Sequence, residues 1–593
     1  MSMILKAYSS LLTDIKNITG VHLDLPLDFS MDWVLLVGPQ LDKQLLQFLE
    51  HDDGLISDDK VPLPEWLMPL WRYIRQSDEN ISALKYLRTL LVFGYKAERE
   101  SSKEKIIEAV NRFRQANTEV GAWNRMFIDE HQFNRPLFRE ARSLVCGVIG
   151  RLDYTEIIPK HGPGAVFPSC RPSSKSDFCV VPVINRYYPY DTTFNGLHIL
   201  GDVDRRQSYD EPCDQIVAKL IPVPKDSRGP RLISVHPKES IWVQQGQRHI
   251  LEEAITHSRF TRGHIMFHDQ TINGELARLA SKDRSYCTID LQEASDRIGL
   301  ELVRWLFGHH ADVLGCSRAT HVKIDNDTTD VLNMFAPMGN CLTFPIESLV
   351  FWALVRAGIR CKYGEVCTDV YVFGDDIICP SKYITGAIYG LESAGLVVNK
   401  NKTFVSGLFR ESCGIDAYKG IVVTPWRCKV WDVNSYSSAN SVCDLAKRLR
   451  IGGFAETSAF LYSYVASKLR YRLSITNNLE SQGICEYANY DIWDLMRYEP
   501  RLKFNRGLQR YEVPIIIMKA SLEEVLQHAW WHVQDSLLGL ERSRPSGPYN
   551  GGSHDTDRLG GCSIEYPSPW GDRPEVAWAP VEVPSDLPWV FLV

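Results

Sequence analysis

The sequence predicts an α+β fold, and three observations carry that expectation. Helical periodicity dominates residues 1 to about 150, most clearly in SALKYLRTLLVFGYKAERESSKEKIIEAVNRF. Between about 220 and 430, short runs rich in β-branched and aromatic residues alternate with helical stretches. From about 430 to 540 the pattern returns to helix.

Length and composition set the outer bounds. A chain of 593 residues has room for about three or four subdomains. Its 44% hydrophobic and 23% charged residues are those of an ordinary globular protein. A net charge of −7 argues against a basic nucleic-acid coat but leaves room for an enzyme whose cations line one channel. The fifteen cysteines form no C-x-x-C pair, and MSMILKAYSS runs straight into polar sequence. Reduced thiols in a cytoplasm are therefore expected, without a secretory leader. CLTFPIESLVFWALVRAGI is the most apolar long stretch, yet it contains Glu347 and Arg356. It predicts a buried helix and not a membrane span.

Taken in order, the helical opening gives way at KHGPGAVFPSC to a Pro-, Gly- and Tyr-rich segment reaching about Asp214, expected to be irregular. Its Gly-Pro-Gly lacks the Lys-Ser/Thr ending of a phosphate-binding P-loop. At the far end, SRPSGPYNGGSHDTDRLGG opens a Pro/Gly/Trp-rich tail expected to be extended or partly disordered.

The chemistry is concentrated in the middle. VYVFGDDIIC places Asp375 and Asp376 at a tight turn between two strand-forming runs. Gly-Asp is good turn chemistry by itself, so the pair gains meaning only from its surroundings. Upstream, SYCTIDLQEASDRIGLELVRWLFG puts Asp290 at the end of a β-like run, before a helix expected from about Ser295 to Phe307. If the two strands are neighbours, three carboxylates converge at one end of a sheet. Their repulsion is relieved by hard divalent cations such as Mg²⁺, which take oxygen ligands and keep room for substrate phosphate. Two such ions about 3.5–4 Å apart suit in-line phosphoryl transfer.

A triphosphate needs cations on its far side. IPVPKDSRGPRLISVHP supplies Lys225, Arg228 and Arg231 at the edge of a β-like segment. In APMGNCLTFPIESLVFWAL, Asn340 lies in a loop before a helix and is free to hydrogen-bond a sugar or base; Pro345 fits only in that helix's first turn. Asp296, at the expected start of the helix after Asp290, can point back to the same cleft. Beyond the hairpin, Lys400, Lys402, Arg410 and Arg427 are interleaved with Tyr and Trp, a pattern that suits a nucleic-acid strand.

In chain order stand VPKDSRGPR, DQTIN, TIDLQEASD, MGNCLTFPIESLVFWA, VFGDDIICPS, NKNKTFVSGLFRESCG and VVTP. The series resembles the RNA-directed RNA polymerase subunit of the small positive-strand RNA bacteriophages, the leviviruses, over roughly residues 220 to 430. The resemblance implies a right-hand polymerase with fingers, palm and thumb, its palm a small antiparallel sheet backed by helices. The corresponding division is 1–220 N-terminal region and fingers, 221–260 basic finger segment, 261–392 catalytic palm, 393–435 palm–thumb strands, 436–543 helical thumb and 544–593 tail. It further implies that Asp290, Asp375 and Asp376 bind two Mg²⁺ ions, with Mn²⁺ as a substitute. Lys225 and Arg231 would lie over the triphosphate, Asp296 and Asn340 would sense the ribose 2′-hydroxyl, and Lys402 would protonate departing pyrophosphate. The implied partners are RNA template and product, nucleoside triphosphates, host elongation factors Tu and Ts and a host RNA-binding ribosomal protein, all in the bacterial cytoplasm and without a membrane.

The sequence departs from the family pattern at Phe373, where a Tyr is common, at Gln292 and Glu293, where small residues are usual, and at Pro345, where the family has an acid. These changes bear on local backbone shape, not on reaction class. A DNA-templated or reverse-transcribing polymerase is the first rival, opposed by Asp296. An inactive RNA-binding scaffold is the second, opposed by three mutually repelling aspartates that a scaffold does not need.

Overall fold

The computed structural model of the chain describes residues 3–51, 60–97, 101–150, 152–162, 164–170, 175, 178–194, 215–227, 229–325, 328–469, 473, 475–476, 484–485, 501–517 and 575–580. Three apolar cores organise them.

The first core surrounds a three-stranded antiparallel sheet. Its central strand, Asp376–Pro380, pairs on one side with Tyr286–Ile289 and on the other with Tyr371–Phe373. Behind it runs Thr343–Tyr363, buried continuously from Pro345 to Ile359. A helix apolar on all sides must be enclosed by protein or lipid. Here the enclosure is protein: the sheet, helix Ile384–Ser393 and helix Pro136–Ile149 pack around it. Pro345 sits in its first turn, as expected. Among the described residues no helix is long and apolar enough to cross a membrane. The α+β class and an antiparallel sheet backed by helices are thus what the chain forms.

The second core joins sequence-distant parts. Helices Met3–Thr19, Gly38–His51, Met68–Gln76 and Leu84–Val92 pack with residues 404–473, including helices Tyr436–Ile451 and Ala455–Leu469. Asp14 accepts hydrogen bonds from the amides of Glu456 (2.9 Å) and Thr457 (2.8 Å), capping the last of these helices from the first. Arg88, 1% exposed, binds Asp42 at 2.8 Å and Asp416 at 2.7 Å. Residues 3–97 therefore belong with the helical region after 404, whereas the sequence grouped everything up to 220 as one N-terminal region.

The third core packs helix Lys103–Asp129 and helix Lys238–His257 on a mixed sheet. Its strand order is Gly229–Val235, Val217–Asp226, His321–Lys323, Thr329–Val331. The first two form an antiparallel hairpin, and His321–Lys323 runs parallel to Val217–Asp226.

Two expected helices are shorter than their periodicity suggests. The amphipathic run 82–113 is two helices: the first ends at Val92, and just beyond it Gly94 lies so close to Val34 and Ile4 that a Cβ would stand 2.6 Å and 2.7 Å from their side chains. The chain turns at that close approach and restarts at Lys103, capped by Ser102. The helix after Asp290 begins only at Leu300; Ala294–Arg297 is a separate 3₁₀ turn.

Towards the end, part of the region read as helical forms strands Lys503–Asn505 and Arg510–Ile517. The described part of the tail, Glu575–Pro580, is a strand paired antiparallel with Arg510–Ile517. The rest of the tail lies outside the described residues. No disulfide links the described cysteines.

Candidate active site

The sheet register determines where the acids stand. Ile289 pairs with Ile377, so Asp290 and Asp376, one step further along each strand, emerge at the same end. The hairpin turn requires Gly374: its φ is +61°, and a Cβ there would meet the Phe344 ring at 2.4 Å. The Gly374 amide donates to Ser348 Oγ at 3.1 Å, tying the turn to the buried helix. Asp375 is left exposed at the tip and Asp376 half-buried below it.

All three aspartates line one cavity of about 1150 Å³. Burial pushes the Asp290 carboxyl up, a rise opposed by Lys402 and by an Asn399 hydrogen bond and reinforced by Asp375. Burial, then Asp375, pushes Asp376 up to about 6, against a 3.1 Å hydrogen bond from the Cys413 amide. Asp375 thus makes both Asp290 and Asp376 harder to ionise, and a divalent cation removes that penalty. Among the described residues no three His, Cys, Asp or Glu side chains are gathered into a ready metal cage. Mg²⁺ sites that also hold substrate phosphate rely on one or two carboxylates and leave the remaining positions to substrate and water. An oxygen-only donor set of mutually repelling carboxylates fits such an ion.

The opposite wall is basic. Lys225 and Arg231 lie on the two strands of the hairpin Val217–Asp226/Gly229–Val235, both exposed and both lining the cavity. Their fields reach the acids: Lys225 favours ionised Asp290, and Arg231 favours ionised Asp296 and Glu347. Arg228 lies outside the described residues. Remote segments hold the hairpin tip. The Ser227 hydroxyl donates to Leu35 O (2.8 Å), its amide to Tyr95 O (3.2 Å), and Lys105 Nζ to its carbonyl (2.5 Å).

Asp296 and Asn340 both line the cavity. The Asp296 carboxylate accepts from the Met338 amide and the Ser295 hydroxyl, each at 3.3 Å, and burial pushes it up to about 6. It is not the cap of the following helix, whose N-terminus is at Gly299. Asn340 is 5% exposed; its Oδ1 accepts from Leu342 N at 2.8 Å, while its Nδ2 has no partner. A buried amide hydrogen without an acceptor is costly, and Asn340 lines the cavity. The amide therefore offers a donor here, its acceptor being engaged by the backbone.

Lys402 lies 3.8 Å from Asp290 Oδ1. Two other expected RNA contacts have different roles. Arg410 is wholly buried and donates to the carbonyls of Val405, Gly407, Phe409 and Tyr286 at 2.6–2.8 Å, clamping the strand after Lys402. Arg427 lies 3.7 Å from buried Asp416.

Three cavity residues were not singled out from the sequence as site residues. Asn399 donates to Asp290. Glu347, 6% exposed, is pushed well above the usual carboxylate range by burial and then by Asp375 and Asp296. Glu411 is pushed up to about 7 by burial and Asp416. For Glu347 a signal existed: one acid inside an otherwise apolar helix needs a reason to be there.

Residues 200–450 match the family model described as RNA replicase, beta-chain. The RNA-directed RNA polymerase beta chain of Escherichia phage MS2 is 38% identical over 209 residues, 35% of this chain and 37% of that protein. The corresponding beta subunit of Escherichia virus Qbeta is 31% identical over 301 residues, 50% of this chain and 49% of its own. The match thus spans half or less of these relatives' length. Among solved structures, the BmCPV RNA-dependent RNA polymerase at its elongation state aligns over 71% of this chain and 41% of its own, at TM-score 0.39 and 13% identity. The resemblance expected over 220 to 430 extends over 200–450.

Proposed function

We propose that this chain is an RNA-directed RNA polymerase of the levivirus type, working on an RNA template with nucleoside triphosphates in the cytoplasm of a bacterial host. The observation that carries the reading is one cavity with Asp290, Asp375 and Asp376 on one wall and Lys225 and Arg231 on the other. In the reaction, the 3′-hydroxyl of the growing RNA attacks the α-phosphate of the incoming nucleotide, the α–β phosphoanhydride bond breaks, and pyrophosphate leaves.

Lys225 and Arg231 bind the β- and γ-phosphates, Arg231 with two parallel hydrogen bonds and Lys225 as a point charge. Asn340 Nδ2 donates to the ribose 2′-oxygen and Asp296 accepts its hydrogen, so both lone pair and proton are satisfied. Lys402, held beside Asp290, carries the proton that pyrophosphate takes as it departs. Asp290, Asp375 and Asp376 would hold two Mg²⁺ ions, or Mn²⁺ in their place, which lower the charge on the attacking and leaving oxygens when bound. Fingers, palm and thumb correspond, on this reading, to the third core, the first core and the helices after 435. Elongation factors Tu and Ts and a host ribosomal protein enter by resemblance alone.

Templated incorporation with Mg²⁺, run on ribo- and deoxyribonucleotides, tests the reading. Incorporation of ribonucleotides on RNA is expected; none on any template would favour the inactive scaffold, and efficient use of deoxyribonucleotides the reverse-transcribing rival. Asp296→Ala and Asn340→Ala should each shrink the ratio of ribo- to deoxyribonucleotide kcat/KM. An unchanged ratio in both removes their sugar-sensing role.

A further inference from the structure

Asp290 is gripped from one segment. Strand pairs Leu291–Val398 and Gln292–Val397 lie on one side of it, and reciprocal backbone hydrogen bonds between Thr288 and Phe404 (3.0 and 2.9 Å) on the other. Between these two seams the chain turns through 399–402, and Asn399 meets Asp290 twice. Its amide N–H donates to the Asp290 carbonyl at 2.9 Å, and its Nδ2 donates to Asp290 Oδ2 at 2.7 Å. Asn399 is itself held by the turn: its Oδ1 accepts from Asn401 N (3.3 Å) and its carbonyl from Lys402 N (2.9 Å).

This geometry divides the work between the two carboxylate oxygens. Oδ2 is bound by the amide, which fixes the plane of the carboxylate. Oδ1 lies 3.8 Å from Lys402 Nζ, beyond hydrogen-bond length, and Asp290 and Lys402 both line the cavity. An amide orients a carboxylate without cancelling its charge. A lysine or arginine in the place of Asn399 would add a second cation beside Asp290, whereas Asn donates a hydrogen bond and brings no charge of its own. Hydrogen-bond partners that orient a ligand in this way commonly contribute ten- to a hundredfold to metal affinity.

We infer that Asn399 is a positioning residue for Asp290, holding Oδ2 so that Oδ1 is presented for a divalent cation, and that the 399–402 turn couples that ligand to Lys402. The inference rests on the reading of Asp290 as a cation ligand. Asn399 touches no reacting atom and acts through Asp290.

The test uses the full chain without nucleotide, with Mn²⁺ as the probe and free Mn²⁺ followed by electron paramagnetic resonance. Asn399→Ala should weaken Mn²⁺ binding at least tenfold. Asn399→Leu, which keeps the bulk of the side chain and removes its donor, should do the same if the alanine variant folds poorly. In templated incorporation, the Mg²⁺ concentration for half-maximal rate should rise by a similar factor, with nucleotide KM at saturating Mg²⁺ unchanged. A loss of fold would not be restored by more cation. Wild-type Mn²⁺ affinity in both Asn399 variants, with binding lost in Asp290→Asn, overturns the positioning role alone. Equal binding by wild type and Asp290→Asn overturns the cation reading of Asp290 and the inference with it.

Discussion

The acidic and basic walls of the cavity are built by opposite means. Asp290 and Asp376 extend from strands whose residues Cys287, Ile289, Ile377 and Cys379 are all at most 2% exposed. Thr288 and Ile378, on the other face, are equally buried, and the pairing of Ile289 with Ile377 brings both acids out at one end of the sheet. Lys225 and Arg231 instead project from exposed stretches of a hairpin with a register shift between Val223 and Asp226. Contacts with Leu35, Tyr95 and Lys105, far away in sequence, hold its tip. Asp290 and Asp376 are anchored in a core; Lys225 and Arg231 are carried on an arm braced from outside.

The largest effect expected on this contrast comes from Asp375→Asn. At an exposed tip the substitution should leave the fold intact, with the melting temperature unchanged or slightly higher as one repelling charge goes. Incorporation should fall at least about a hundredfold, since ~1.36 kcal/mol is tenfold in rate and a lost cation ligand costs several. A tenth of wild-type activity in the variant would break the assignment of the acidic wall.

Next comes a stability effect at Asp296. Its folded pKa of about 6 lies above the ordinary 3.8, so the folded protein keeps a proton that the unfolded chain has released. Stability should therefore decline as pH rises from about 4 to about 6, by up to about 3 kcal/mol at ~1.36 kcal/mol per pH unit. Asp296→Asn should flatten that decline and be the more stable protein at pH 7. Chemical denaturation of both at pH 4, 5, 6 and 7 gives the comparison, and parallel curves would refute it.

On the basic wall, Lys225→Ala or Arg231→Ala should raise KM about tenfold for all four nucleotides alike, because phosphate contacts carry no base information. A base-dependent change in steady-state kinetics would move these residues into base selection. Smallest of all, Tyr95→Phe removes a 3.2 Å hydrogen bond to Asp226 at the braced tip. It should cost about 1 kcal/mol or less in denaturant unfolding, with a slight rise in nucleotide KM; no change in either would mean the hairpin needs no such brace.

The acidic wall was legible in the sequence because its signals are local: a Gly-Asp turn between two strand-like runs, and an acid at the end of another. Asn340 was legible as a loop residue before a helix, though not that its Oδ1 is engaged by Leu342 N. What escaped was set by distant contacts. Arg410 reads like any basic residue near a Tyr, and only the convergence of four carbonyls makes it a buried clamp. Gly94 falls within a good helical pattern, and nothing local shows that the chain there passes against Val34 and Ile4. Asn399 looked like one of two asparagines in NKNKTF until the strand pairing at 397–398 brought it beside Asp290.

The joint between residues 3–97 and 404–473 bears on the order in which the molecule can be made. Arg88 is buried between Asp42, available early, and Asp416, available only after more than three hundred further residues have been synthesised. A half-paired buried guanidinium is costly, and so are apolar helices whose packing partners do not yet exist. On the ribosome the opening helices must wait, exposed, while the sheet and its long backing helix assemble. A nascent chain arrested near residue 435, with the sheet and its helices clear of the exit tunnel, should therefore display a protected middle and a protease-sensitive beginning, with protection of the opening helices arriving last.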